Sequence, residues 1–132
     1  MDLDSKLELT YKVESKDLAS ALSADEQDAF PAVLATSRMV ALMELAAARL
    51  MKPLLGEGEL SVGVNVSVNH LAATPNDEEV KALAAFKGME GKLYKFEVEL
   101  HDNGGVAGIG THTRAIVKTE RLLQSAMARV KV

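Results

Sequence analysis

The sequence predicts an α+β fold in which an antiparallel sheet of about five strands packs against one long helix. An apolar stretch that begins near Thr36 and ends before Pro53 indicates the helix. Residues 60–71 alternate apolar and polar side chains, which is the period of a strand. Two turn-like segments, GMEG and DNGG, separate the later strand-like stretches, and strands linked by such hairpin turns form antiparallel sheets.

Each element has its own local signal. Alternation predicts the first strand over residues 6–13, and a short helix is predicted near 16–22, followed by a loop. The long helix begins at Thr36 or Ser37, either of which can act as its N-cap. The remaining predicted elements, four strands and a C-terminal helix, cover residues 60–71, 78–87, 91–102, 105–118 and 119–129.

Composition limits the class of protein. A chain of 132 residues predicts one domain, residues 1–132, with enough length for a hydrophobic core. The net charge of -4 argues against nucleic-acid binding, which needs clustered positive charge. The absence of cysteine excludes disulfides, thiolate nucleophiles and cysteine-bound metals. The N-terminus lacks the pattern of a signal peptide and the long apolar stretch contains charges, so a cytoplasmic protein without membrane association is expected.

Glu44 lies inside the apolar run MVALMELAAARLM, and the residues three and four positions away from it are all apolar. At about 100° per residue, the helical cations Arg38, Arg49 and Lys52 share a stripe that excludes Glu44. Either the carboxylate reaches water or a distant cation from a boundary position, or it has a function, since burying an unpaired carboxylate is costly.

His70 favours the functional interpretation of Glu44. Strand alternation predicts that His70 shares the apolar, helix-facing side of its strand with Leu60 and the valines at positions 62, 64, 66 and 68. A single inward histidine is usually a hydrogen-bonded core residue. Two titratable groups where apolar residues are expected are typical of a functional site.

Other polar residues are weaker candidates. Alternation places His101 on a solvated face, whereas His112 and Arg114 share a face with two glycines. Arg114 is therefore a candidate supporting residue, and His112 is predicted to be structural. Thr36 precedes Glu44 by eight residues, which is roughly 12 Å along a regular helix, so their side chains could not touch directly. Either Thr36 belongs to a bent segment that leads into the helix, or substrate lies between the two side chains.

Three segments carry a family resemblance: FPAVLATSRMVALMELAAARLMKPLL, SVGVNVSVNHLAATP and GIGTHTRAIV. Together, over about residues 30–119, they resemble the thioesterases related to fluoroacetyl-CoA thioesterase, a subgroup of the hotdog fold. The resemblance implies a curved antiparallel sheet wrapped around a central helix.

The resemblance also implies the site residues. In that family, a threonine before the helix, a glutamate within it and a histidine at the end of the second strand form the catalytic set. The matching positions in this chain are Thr36, Glu44 and His70. The positions that match the substrate site of the family are Phe30, Gly63 and Arg114.

The family acts as dimers on acyl-CoA and uses no metal or cofactor. The resemblance therefore implies a homodimer, or a higher homo-oligomer, that takes acyl-CoA beside the subunit interface. Leu34 and Leu45 stand where the fluoroacetate-specific enzyme has an aromatic residue and a tryptophan, so a different acyl selectivity is expected. The phosphates of CoA require positively charged side chains near the substrate site. Each candidate side chain can also be explained as part of a solvated charged stripe on the surface. Those candidates are Arg38, Arg49, Lys52 and Lys87.

The predicted activity is hydrolysis of a small acyl-CoA thioester, and three routes remain open. Glu44 attacks to give a transient anhydride, Glu44 activates water, or Thr36 itself attacks, with His70 transferring protons in each case. The helix N-terminus, or a backbone N–H near Gly63, is the candidate donor to the oxyanion. The alternatives are a non-catalytic acyl-CoA-binding protein and a hotdog hydratase or dehydratase, whose characteristic segment the chain lacks.

Overall fold

A computed structural model describes residues 1–131 of the chain. Its α-helices and strands are β1 (Lys6–Lys12), α1 (Thr36–Met51), β2 (Glu59–His70), β3 (Glu79–Glu90), β4 (Leu93–Asp102), β5 (Gly105–Lys118) and α2 (Thr119–Val130). The strands form one antiparallel sheet in the order β1-β3-β4-β5-β2. The predicted sheet of five strands and its packing against one long helix are confirmed.

The core lies between α1 and the sheet. The buried residues of α1 recur every three to four positions, which places them on one face of the helix. They are Met39, Leu42, Met43, Ala46, Ala47 and Met51. The sheet presents alternate residues of β3 and β4 to this face, and the small Ala82 and Ala84 of β3 are completely buried. A helix that is apolar on this face is thus held across the middle of the sheet.

A β-bulge interrupts β2. Gly63 pairs with Arg114 and Asn65 pairs with Thr113, so Val64 has no partner residue on β5. An extra residue of this kind reverses the alternation of side chains on the two sides of the bulge. The prediction of one uninterrupted alternation through residues 60–71 is therefore wrong.

The bulge determines which side chains face α1. Because directly opposite residues share a face, Val66 lies on the same side as its partner His112, and His70 follows the same alternation. This agrees with the predicted orientation of His70. Leu60 and Val62 face the other way, contrary to the prediction, and Gly63 instead lies on the helix side.

The start of α1 differs from the prediction. Ala35 is the N-cap residue and makes no side-chain capping bond, whereas Thr36 is the first helical residue. The backbone N–H of Ala35 instead donates to the Asp17 carbonyl at 2.9 Å. The Asp17 carboxylate is completely buried and accepts at 2.8 Å from Nε of Arg38, which lies in the first turn of α1. Tertiary contacts with Asp17, rather than a Thr or Ser cap, therefore anchor this end of the helix.

The short helix predicted near residues 16–22 is also wrong. The chain forms two 3-10 turns there, Ser15–Asp17 and Ala19–Leu22. A regular helix is excluded because Ala19 N–H donates to the Val33 carbonyl and thus ties the segment to the approach to α1.

The C-terminal helix α2 is present near its predicted position, and all of its residues are at least partly exposed. Its apolar residues Leu123, Met127 and Val130 are 59%, 71% and 60% exposed. No helix within residues 1–131 has the length and apolar character needed to cross a membrane.

Candidate active site

Thr36 and His70 meet at the N-terminal end of α1. Thr36 Oγ1 and His70 Nδ1 are 2.8 Å apart, which is a hydrogen-bond distance. His70 is the last residue of β2, and the strand delivers its imidazole to the first turn of the helix. The other ring nitrogen, Nε2, is buried and has no hydrogen-bond partner among residues 1–131. One nitrogen is thus paired with a hydroxyl while the second stays available for a proton or a ligand.

An open, largely apolar depression of about 420 Å³ adjoins this pair. Its lining residues are Ala19, Pro31, Val33, Leu34, Thr36, His70, Leu71, Ala72 and Ala73. Leu34 is 1% exposed and forms a fixed wall, whereas Phe30, the residue before Pro31, is 47% exposed. The depression can receive a small apolar group with its polar end against Thr36 and His70.

Glu44 belongs to a second polar group. Glu44 Oε2 lies 3.7 Å from Arg114 Nη1, and the Glu44 side chain is 41% exposed while that of Arg114 is 7% exposed. Arg114 also donates from Nε to Ser61 Oγ and from Nη2 to the Ser61 carbonyl, both at 3.0 Å. Burial lowers the pKa of the Arg114 guanidinium, and the Glu44 carboxylate partly opposes that shift. The contacts with Ser61 and Glu44 thus hold the positively charged guanidinium in place beside a carboxylate.

Gly63 makes this approach sterically feasible. A Cβ at position 63 would lie 3.5 Å from Glu44 Cδ, 3.5 Å from Arg114 Nη1 and 3.2 Å from His112 Cε1. The distance to His112 is tighter than ordinary contact, and a side chain longer than that of alanine would press on all three groups, whereas glycine lets the strand pass close to them.

His112 is a site neighbour that the sequence interpretation missed. It is 1% exposed; its Nδ1 lies 2.7 Å from the Asn65 carbonyl and its Nε2 lies 3.1 Å from Arg114 Nη1. Burial is the main cause that lowers its pKa; the Arg114 charge adds to that shift, and the bond to Asn65 and the Glu44 charge oppose it. The feature of the sequence that pointed to His112 as a site residue was its position on the same strand face as Arg114.

The two groups are separate within one chain. Thr36 and Glu44 are eight residues apart in a continuous helix, roughly 12 Å along its axis. His70 and Gly63 are seven residues apart on β2, roughly 20 Å along the strand. The chain therefore brings Thr36 to His70, and Glu44 to Gly63 and Arg114, but it does not unite the three residues of the predicted catalytic set.

Comparison with known proteins identifies the family. A family model for the fluoroacetyl-CoA-specific thioesterase matches residues 13–120, well over half of the chain. The chain belongs to this family. The fluoroacetyl-CoA thioesterase of Streptantibioticus cattleyicolor is 42% identical over 92 residues, which are 70% of this chain and 66% of that protein. This alignment spans just under two thirds of the relative's length.

Solved structures support the same assignment. A threonine-to-serine variant of the fluoroacetyl-CoA thioesterase, in complex with acetyl-CoA, is 31% identical with a TM-score of 0.93 over 99% of this chain and 100% of that one. A hot-dog-like protein from Thermanaerovibrio acidaminovorans is 22% identical with a TM-score of 0.87 over 100% and 95% of the two chains, which shows the fold alone. The predicted family, the hotdog fold and membership of the thioester hydrolases are confirmed.

Proposed function

We propose that this protein hydrolyses small acyl-CoA thioesters to the free acid and CoA. The hydrogen bond between Thr36 and His70, at the rim of an apolar depression of about 420 Å³, carries this proposal. Apolar walls suit a short acyl chain, and the polar pair meets the carbonyl end where bonds change. The acetyl-CoA complex of a related thioesterase supports the substrate class. Leu34, in the wall of the depression, is the residue we expect to influence acyl selectivity.

The helix N-terminus is the proposed donor to the oxyanion. The N–H groups of Arg38 and Met39 donate to the Ala35 carbonyl, and that of Ala35 donates to Asp17. Among the described hydrogen bonds, none uses the N–H groups of Thr36 and Ser37, at the positive end of the helix dipole. Donors of this kind stabilise the negative charge that develops on a thioester oxygen under attack.

His70 is the proposed proton carrier. It gives a proton to sulfur as the carbon–sulfur bond breaks. When the Thr36 hydroxyl attacks, His70 first takes that proton from the hydroxyl. When the Glu44 carboxylate attacks or takes the proton of water, His70 enters the step protonated, and it regains its proton as water hydrolyses the anhydride or from the protonated Glu44. Glu44 supplies the nucleophile, Glu44 activates a water molecule, or the Thr36 hydroxyl attacks and its ester is hydrolysed in turn. Each route uses only side chains and water, so we expect the activity to survive a metal chelator.

We propose that a homodimer completes the site. In the described chain, β2 is an edge strand with β5 on one side and no strand on the other. It is twelve residues long, and its Val64 and Val66 side chains are 53% and 38% exposed. A long, partly apolar edge of this kind is a template for pairing with a second chain.

The positions of the two polar groups support this pairing. An antiparallel pair of β2 strands with its two-fold axis at Ser67 pairs Val66 with Val68 and Asn65 with Asn69 of the other copy. The extra residue at Val64 then places Gly63 of one copy opposite His70 of the other. Opposite residues of antiparallel strands point to the same face, which for both positions is the helix side. Glu44 of one copy would then approach Thr36 and His70 of the second copy.

Mixing of inactive subunits tests this arrangement. Thr36→Ala and Glu44→Gln damage opposite halves of each composite site, so a mixed dimer retains one site with neither change. Release of free CoA thiol should return to about a quarter of the wild-type rate after unfolding and refolding of an equal mixture. The matched control mixes Thr36→Ala with His70→Ala, which lie in the same half and should recover no activity.

A panel of short, branched and aromatic acyl-CoAs tests the reaction itself. Hydrolysis releases free CoA, hydration of an unsaturated acyl group does not, and a binding protein leaves every substrate unchanged. Absence of thiol release by wild-type protein across the panel would refute the proposed function. Full activity of either Glu44→Gln or His70→Ala alone would refute the residue roles.

A further inference from the structure

A chain of contacts leads from Glu44 through Arg114 to the buried His112, which has no role in the proposed reaction. Glu44 touches Arg114, Arg114 touches His112, and His112 touches the Asn65 carbonyl in the β2 bulge. A buried histidine could pack as a simple core residue. Here, both of its ring nitrogens instead make polar contacts with chemically fixed partners.

The partners determine the tautomer of His112. A carbonyl oxygen only accepts, so Nδ1 must carry the ring proton and donate it to Asn65 at 2.7 Å. A guanidinium only donates, so Nε2 must be unprotonated to accept from Arg114 Nη1 at 3.1 Å. Neutral imidazole with its proton on Nδ1 satisfies both contacts, and an imidazolium satisfies only the first.

The same contact fixes the direction of Arg114. Ser61 receives the N–H groups of Nε and Nη2, which hold one edge of the guanidinium plane. His112 receives an N–H of Nη1, the nitrogen that also faces Glu44 at 3.7 Å. Without an acceptor at His112, a buried N–H of Arg114 would lose its partner, and the guanidinium would turn to find another.

We propose that His112 is a positioning residue, which aims the Arg114 cation at Glu44 by accepting one hydrogen bond from it. This inference rests on the proposed function, because it supplies the geometry of the Glu44 half of the site. Phe96 of β4 packs against the imidazole with ring centroids 6.4 Å apart, and Gly63 lies close above Cε1. The ring is thereby locked in the plane that serves both polar contacts.

Two amide substitutions separate the two contacts of His112. The shorter side chain of His112→Asn reaches the position of Nδ1 and can keep the bond to Asn65, but it leaves Arg114 without its acceptor. The longer side chain of His112→Gln reaches the position of Nε2 and can accept from Arg114. We expect His112→Asn to lower kcat about 10-fold to 100-fold with little change in KM, because small misplacements of charged groups cost that much. His112→Gln should retain most of the wild-type kcat.

Controls separate positioning from stability. His101→Gln changes a partly exposed histidine that bonds Glu99 at 2.8 Å, and it should leave kcat and KM unchanged. The melting temperatures of the two His112 variants should be similar. Equal kcat for His112→Asn and the wild type would overturn the proposal, as would an equal loss of kcat in both amide variants.

A spectroscopic measurement tests the inference without turnover. In ¹⁵N NMR spectra, wild-type His112 should show the tautomer protonated at Nδ1, and the two Nη atoms of Arg114 should give separate signals because rotation is restrained. The two signals should remain separate in His112→Gln and merge in His112→Asn. An inactive wild-type protein with these spectra would refute the proposed function but not the positioning role; unchanged Arg114 signals in His112→Asn would refute that role.

Discussion

At the scale of single residues, the approach of Glu44, Arg114 and His112 depends on the missing side chain at Gly63. A hypothetical Cβ would lie 3.2 Å from His112 Cε1, which is tighter than ordinary contact, and 3.5 Å from Glu44 Cδ and Arg114 Nη1, which is ordinary contact. The polar group therefore depends on a strand position that composition and alternation alone describe as an ordinary small residue. Gly63 matters for function because Glu44, Arg114 and His112 pack against its backbone.

Gly63→Ala should reduce activity more than stability. The added methyl group would displace the imidazole of His112 by a few tenths of an ångström and, through it, the Arg114 guanidinium beside Glu44, so kcat should fall about 10-fold. The cost in unfolding free energy should be about 1 kcal/mol, because only the contact with His112 is tighter than ordinary. Steady-state kinetics and urea denaturation measure the two effects.

Gly108→Ala provides the contrast to this variant. A Cβ at Gly108 would overlap the sulfur of Met39 in the core. We expect a loss of roughly 1–3 kcal/mol in unfolding free energy with a smaller effect on kcat. Equal activity losses in the two glycine variants would show that Gly63 acts through general packing.

At the scale of elements, the N-terminal end of α1 is held by tertiary contacts rather than by its own cap. Asp17 accepts from Tyr11 OH at 2.6 Å, from Glu14 N–H at 2.8 Å and from Arg38 Nε at 2.8 Å. Its backbone carbonyl also accepts from Ala35. The segment before the helix thus fixes the turn that presents Thr36 to His70.

Asp17→Asn should make stability less dependent on acid pH. Burial alone would raise the pKa of Asp17, but the bonds from Tyr11, Glu14 and Arg38 outweigh burial and lower it from 3.8. The carboxylate therefore stabilises the fold above the unfolded pKa, and this contribution disappears as the pH falls through the folded pKa. Wild type should be more stable than Asp17→Asn at pH 7, by roughly 2 kcal/mol, and the difference should shrink below about pH 4.

Urea denaturation at several pH values measures this difference. Asp25→Asn is a suitable control, because Asp25 lies in an exposed turn and its substitution should change only that turn. A constant difference between wild type and Asp17→Asn from pH 7 to pH 3 would contradict the assigned role of the Asp17 carboxylate.

At the scale of the whole molecule, the unpaired edge of β2 and the separation of the two polar groups have one common explanation in a dimer. The edge strand carries one polar group near its middle, at Gly63, and the other at its C-terminal end, where His70 meets Thr36. Two-fold symmetry about Ser67 brings each of these groups to the other in the second copy, so the pairing unites complementary halves twice.

Val66→Asp should disrupt both assembly and activity. Val66 lies beside the proposed two-fold axis, so the substitution brings two carboxylates close together in the dimer and adds charge to an apolar contact. Light scattering should show a smaller particle, and thiol release should fall in parallel. Val106→Asp changes a valine that is 43% exposed at the start of β5 and should affect neither. A fully active Val66→Asp monomer would contradict a composite site.

The residues differ in how far the sequence alone could predict them. Glu44 stood out because its helical neighbours are apolar, and His70 stood out at the end of an alternating strand. The orientation of Gly63 was missed, because a one-residue bulge at Val64 reverses the alternation. The glycine inside the strand is a local sign of a bulge, but it does not specify which residue is left unpaired. His112 was predicted to be structural although it shares a strand face with Arg114, and its bond to the Asn65 carbonyl depends on how the bulged strand lies beside β5.

By itself, the sequence determined the order and type of the main elements, the apolar face of α1 and the family to which the chain belongs. These properties follow from side-chain periodicity and from motifs within continuous segments. Only the tertiary structure decided the anchoring of α1 by Asp17, the reversal at Val64 and the division of the polar residues into two groups. Those features depend on hydrogen bonds and strand register between distant segments, which no local pattern specifies.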